Sequence, residues 1–145
     1  MNQLRPPARP LCALVVDDDL DTVESTSALL TCHGFRILTA TNGPEALQTA
    51  EEYPPDVVLL DLSMPIMDGF EVLDRLREGC AGLAKRPLFV AVTGRGRAED
   101  RQRTSDAGFD LHLLKPVDPP VLVGVMNRFA RAIADPGSVS CGDSW

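Results

Sequence analysis

With one tryptophan, one tyrosine and five phenylalanines in 145 residues, this chain has little material for an aromatic base-stacking surface. Basic residues are also few. Fourteen Lys and Arg face 21 Asp and Glu, a formal net charge of −7. That sign argues against nucleic acid as a direct partner and suits a cation or a protein with a basic patch. The four cysteines (Cys12, Cys32, Cys80, Cys141) form no C-x-x-C pair, so reduced thiols in a cytoplasm are expected rather than a metal or redox site. Cys32 and His33 are sequence neighbours whose side chains diverge on a helix, and they read as structural. No apolar run approaches a membrane span, so no membrane partner is expected. Leu11 to Val16, behind Arg5 and Arg9, is too short for the apolar region of a signal peptide.

What is present is a globular composition, 44% apolar and 24% charged, in a chain long enough for one domain with its own core. Residues 1–10 read as a disordered leader, 11–134 as the domain and 135–145 as a flexible tail. Apolar runs recur at Leu11–Val16, Arg36–Ala40, Val57–Leu62, Leu88–Thr93 and Leu111–Leu114. Segments of helical spacing lie between them. The first carries Val23, Ser27, Leu29 and Leu30 inward and is closed by Gly34. The second opens near Pro44 and stops at Pro54-Pro55. The third spans Gly69–Arg77, the fourth Ala98–Ala107 (ended by Gly108) and the fifth Pro119–Ala134. Five strands alternating with five helices predict an α/β fold with a parallel sheet. "VVLLDL" lacks in–out alternation, as a strand covered on both faces should.

In such sheets the ligand site lies beyond the carboxyl ends of the strands. Those ends carry Asp17 and Asp18, Asp61, Thr93 and Lys115. Three acids, a hydroxyl and an ammonium thus converge on one edge. Like charges about 5 Å apart repel by roughly 3 kcal/mol at an effective dielectric of about 20, so the acids of "LVVDDDLDTV" require a neutralising partner. A calcium loop is one candidate, with Asp17, Asp19 and Asp21 at its first three acidic positions. It fails, because Thr22 stands where the loop needs Gly and Ala28 where it needs Glu. "DLDTV" (Asp19–Val23), "VAVT" and Lys115 resemble the motifs of haloacid-dehalogenase-like phosphatases. That register leaves Asp61 without a role, and no acidic pair follows Lys115. Asp19 and Asp21 suit helix caps better than ligands.

"LVVDDD", "VVLLDLSMPIMDG", "VAVTG" and "LLKPV", in that order and each at a strand end, together resemble the receiver domain of two-component response regulators. The resemblance covers residues 11–134. It implies a doubly wound, flavodoxin-like parallel sheet of order 2-1-3-4-5, with two helices on one face and three on the other. It implies that Asp61 is the phosphoacceptor, and that Mg²⁺ is held by Asp17, Asp18, Asp61 and the backbone carbonyl of Ser63. Thr93 and Lys115 would contact the phosphoryl group, and the Lys115–Pro116 bond would be cis. The implied partners are a histidine kinase or histidine phosphotransfer protein and a downstream protein target. Such a domain catalyses only its own phosphorylation and dephosphorylation. An interaction module that works without phosphorylation is the alternative; its weakness is that it has no need of the complete set of five residues.

Some residues remain open at this level. Gly69 and Pro65 read as supports of the acceptor loop, and Met64 and Met67 as its packing. Arg95, Arg97, Arg101 and Arg103 either solvate the fourth helix or form a basic stripe for a partner. Ser63 and Arg95 occupy positions that tune acyl-phosphate lifetime in the family. Three residues before the lysine the family usually has Tyr or Phe; here it is His112, smaller and titratable. The segment after Ala134 is too short for an output domain, which leaves a stand-alone regulator or a receiver of a hybrid histidine kinase as expectations.

Overall fold

The computed structural model describes residues 10–62, 64, 67–79, 86–94 and 98–134. Ser63, Pro65, Cys80, Arg95, Arg97, Cys141, the tail and all of the leader but Pro10 lie outside them. Uninterrupted apolar runs form strands, and the amphipathic segments between them form helices. In chain order these are β1 (Cys12–Val16), α1 (Leu20–Cys32), β2 (Arg36–Ala40), α2 (Gly43–Glu52), β3 (Val57–Asp61), α3 (Gly69–Gly79), β4 (Leu88–Thr93), α4 (Ala98–Ala107), β5 (Leu111–Leu114) and α5 (Pro119–Ala134). The sheet has the order β2-β1-β3-β4-β5 and every pairing is parallel. This is the doubly wound, flavodoxin-like arrangement expected from the sequence.

The two-residue period of the strands divides the core into two layers. Leu14, Val16, Val58, Leu60, Phe89 and Ala91 face a cluster with Ala46 of α2 and Val72, Leu73 and Leu76 of α3. Their neighbours Ala13, Val15, Val57, Leu59 and Val90 face Leu30 of α1 and Leu122, Met126 and Phe129 of α5. Both faces of β1 and β3 are therefore buried, which is why their sequences show no polar alternation.

Helix ends follow local chemistry. Gly34 (φ +90°) lets α1 close with Gly34 N–H donating to Thr31 O and Phe35 N–H to Leu30 O; Gly108 ends α4 in the same way. Helix α2 starts at Gly43, one residue ahead of Pro44, because Asn42 is its cap. Asn42 Oδ1 accepts from Glu45 N–H at 2.8 Å, while Glu45 Oε1 accepts from Thr41 N–H at 2.9 Å. Asn42→Ala should lower stability by about 1 kcal/mol with no change in denaturant slope, read from a urea titration. A loss indistinguishable from zero would show that the Glu45 contact suffices.

Candidate functional site

Adjacent parallel strands place their carboxyl ends side by side, and this sheet order aligns β1, β3, β4 and β5 without a gap. Asp17 follows the last residue of β1, Asp61 ends β3, Thr93 ends β4 and Lys115 follows β5. In the ladder Asp61 is level with Val92, and Thr93 with Leu114. The backbone continues the register beyond β5, since Lys115 N–H donates to Thr93 O at 2.8 Å. Residues separated by up to 98 positions thus meet at one edge.

One carboxylate oxygen from each of Asp17, Asp18 and Asp61 falls in a group spanning no more than 4.8 Å. Asp17, Asp61 and Thr93 are buried at 3–4% exposure, whereas Asp18 is exposed. Lys115 Nζ donates to Asp17 Oδ2 at 2.7 Å and lies 3.5 Å from Asp61 Oδ1. Desolvation pulls the Lys115 pKa down, but the hydrogen bond to Asp17 and the charges of Asp61 and Asp17 outweigh it and leave it raised. Three carboxylates against one ammonium leave two formal negative charges. All the donors are hard oxygens, and the exposed Asp18 opens the group to water. A divalent cation of the Mg²⁺ type fits such a donor set.

The remaining acids of the segment do other work. Asp19 caps α1, accepting from Asp21 N–H at 3.3 Å and from Thr22 Oγ1 at 2.7 Å. The Thr22 hydroxyl holds the Asp19 carboxyl below its ordinary pKa despite some desolvation. Asp21 is exposed in the first helical turn. The pair that a phosphatase of the haloacid-dehalogenase type would need at the strand end is therefore on the helix. Asp17 itself accepts from Asp19 N–H at 3.0 Å, which orients its carboxylate toward Lys115.

Gly69 lets the chain pack closely behind Asp61. A Cβ there would lie 2.7 Å from Asp61 O and 2.8 Å from Leu62 Cα, so the α3 start can press against the end of β3 only without a side chain. Met64 is buried in the core and Met67 packs against the same cluster, as the loop-packing reading requires. The Lys115–Pro116 bond is cis. Cys12 is buried and Cys32 exposed, and neither forms a disulfide among the described residues. Arg101 is exposed; Arg103 places its guanidinium 4.2 Å over the Phe70 ring, so it packs on α3 rather than only solvating α4.

Sequence reasoning missed two kinds of residue. Asp56 and Asp110 accept from Cys12 N–H (2.9 Å) and Phe89 N–H (2.8 Å) at the amino ends of strands, where acids carry no site signal. Thr104 of α4 lies 3.0 Å from His112 Nδ1 across two elements, and no spacing rule links them.

Comparison with known proteins agrees with this geometry. The sequence model described as the response regulator receiver domain matches residues 13–127. The chain is 39% identical over 119 residues to an uncharacterized 14.6 kDa protein of Leptolyngbya boryana, covering 82% of this chain and 89% of that one. It is 39% identical over 103 residues to the transcriptional regulatory protein KdpE of Mycobacterium tuberculosis, covering 71% of this chain but only 43% of KdpE. Among solved structures, a chain of the CheX–CheY–BeF3–Mg²⁺ complex from Borrelia burgdorferi superposes with a TM-score of 0.72 at 31% identity, covering 83% of this chain and 90% of that one. A receiver-type sheet, a receiver-type edge and a family match over most of the length lead to one statement: the chain belongs to the response regulator receiver domain family.

Proposed function

We propose that residues 11–134 are a phosphoaccepting receiver in which Asp61 takes a phosphoryl group from a histidine kinase or histidine phosphotransfer protein. The observation that carries this is the cluster of Asp17, Asp18 and Asp61 with Lys115 bridging its two buried members. Asp17, Asp18, Asp61 and the Ser63 carbonyl would hold Mg²⁺, Ser63 being outside the described residues. When bound, the ion supplies positive charge to the oxygens of the group in transfer.

The chain's own residues do the rest. An Asp61 oxygen forms the bond to phosphorus while the phosphorus–nitrogen bond of the donor breaks, its electron pair staying on nitrogen. Lys115, already 3.5 Å from Asp61, balances the charge brought by the phosphoryl oxygens. The Thr93 hydroxyl donates to one of them. Acceptance alters the surface offered to a downstream protein target, so the domain is a switch and not a conventional turnover enzyme. Its site of action is the cytoplasm. None of its described helices is long and apolar enough to cross a membrane, and its charge of −7 disfavours direct contact with nucleic acid.

Incubation with a small acyl phosphate or phosphoramidate and Mg²⁺ should yield an alkali-labile adduct on the wild-type chain, abolished by chelator. No adduct at all would favour the interaction module, and continuous release of phosphate from an unrelated monoester would favour the phosphatase. A metal titration refines the ligand set. Asp18→Asn should weaken Mg²⁺ binding about tenfold or more, equivalent to about 1.4 kcal/mol. Exposed Asp21→Asn should change it by no more than about twofold. Equal losses in the two variants would shift the metal site toward the helix start.

A further inference from the structure

Helix α4 meets the sheet through an unusual contact. Among its residues 101–107 the buried one is polar: Thr104, at 2% exposure. Thr104 Oγ1 lies 2.9 Å from the Arg101 carbonyl and 3.0 Å from His112 Nδ1. A carbonyl can only accept, so the single hydroxyl proton goes to Arg101 and the imidazole must supply the proton of the second bond. Nδ1 therefore carries a proton whether the ring is neutral or charged.

Two further contacts of α4 reach α3. Arg103 packs on Phe70 and Arg77 Nη1 donates to Ala107 O at 3.0 Å, both on α3. The His112–Thr104 bond ties α4 to β5, which among the described residues is an edge strand paired with β4. Three residues beyond His112 is Lys115, the cation of the acidic edge. Its backbone N–H donates to Thr93 O at 2.8 Å and its Nζ to Asp17 Oδ2 at 2.7 Å, so the end of β5 is tied directly to that edge.

We infer that Thr104 is a positioning residue: it fixes His112 as an Nδ1–H donor and makes α4 follow displacements of β5. The first half stands on the hydrogen-bond geometry alone. The second rests on the phosphoaccepting role proposed above.

Imidazole nitrogen NMR on the whole chain tests the first half, at a pH where His112 is neutral. Wild type and Thr104→Ser should show the proton on Nδ1; Thr104→Val, nearly the same shape without the hydroxyl, should lose that preference. A neutral wild-type ring protonated at Nε2 would overturn the assignment, and needs no variant to be seen. For the coupling, beryllofluoride with Mg²⁺ serves as the phosphoryl mimic. In Thr104→Val the response around Asp61 and His112 should persist, while the population shift of residues 101–107 falls about fivefold, the effect of one neutral hydrogen bond. Thr104→Ser should restore it. An unchanged α4 response in Thr104→Val would overturn the coupling. Absence of any response around Asp61 in wild type would instead overturn the phosphoaccepting role and the coupling together, with the tautomer still deciding the positioning of His112.

Discussion

Asp61→Asn is expected to take up no phosphate under conditions that load the wild-type chain fully. The effect is all-or-none because the acceptor is an atom and not an environment: the amide offers no anionic oxygen to phosphorus. Folding should survive the change. Asn fills the same volume at a site 4% exposed, and it removes one of three clustered negative charges. At about 5 Å and an effective dielectric near 20, each such pair costs roughly 3 kcal/mol before Lys115 offsets part of it. The variant should therefore melt at or above the wild-type temperature without metal. Radiolabel uptake and a thermal melt on the same preparation check both halves. Stable labelling of Asp61→Asn would place the acceptor elsewhere, with Asp18 as the next carboxylate in reach.

Lys115→Met should have the opposite effect on stability. The side chains of Asp17 and Asp61 are 5% exposed and that of Lys115 is 29% exposed, so the lysine provides most of the local compensation in the absence of metal. Removing one partner of a buried ion pair costs about 3–5 kcal/mol, and the partial exposure of Lys115 puts this case near about 3 kcal/mol. For a chain of this size that lowers the melting temperature by about 6–12 °C. Lys115 and Mg²⁺ compete for the same carboxylates, however, so the variant should bind the ion more tightly than wild type. A ligand at about 100 times its Kd contributes about 2.7 kcal/mol, enough to recover most of the loss. Melts with Mg²⁺ and with chelator should thus differ far more for Lys115→Met than for wild type. An equal deficit in both conditions would mean that Lys115 acts through packing and not through charge.

The strands and helices were legible in the sequence for physical reasons that act locally. Runs such as "VVLLD" have no face to give to water; Gly34 and Gly108 mark helix ends through the positive φ that glycine allows, and Pro44 marks a helix start through its fixed φ. The start of α2 moved by one residue because Asn42 caps it, and α3 runs on two residues past Arg77 to Gly79. The order in which strand ends bear Asp17, Asp61, Thr93 and Lys115 was also readable, because parallel topology sends every carboxyl end to one edge.

Distances are a different matter. That Lys115 reaches Asp17 at 2.7 Å while lying 3.5 Å from Asp61 depends on β1, β3, β4 and β5 being neighbours in register, which no local pattern encodes. The same holds for His112. Its departure from the family's aromatic was visible in one dimension, but its partner was not, because Thr104 comes from a helix whose polar composition hides the side chain that its residues 101–107 bury. Local propensity and hydrophobic period determined the elements, the fold class and the chemistry available at the sheet edge. Only the packing of α4 against β5, and of four strand ends against one another, decided which of those groups touch, since contact between distant residues is set by the closing of the core and not by the chain near either one.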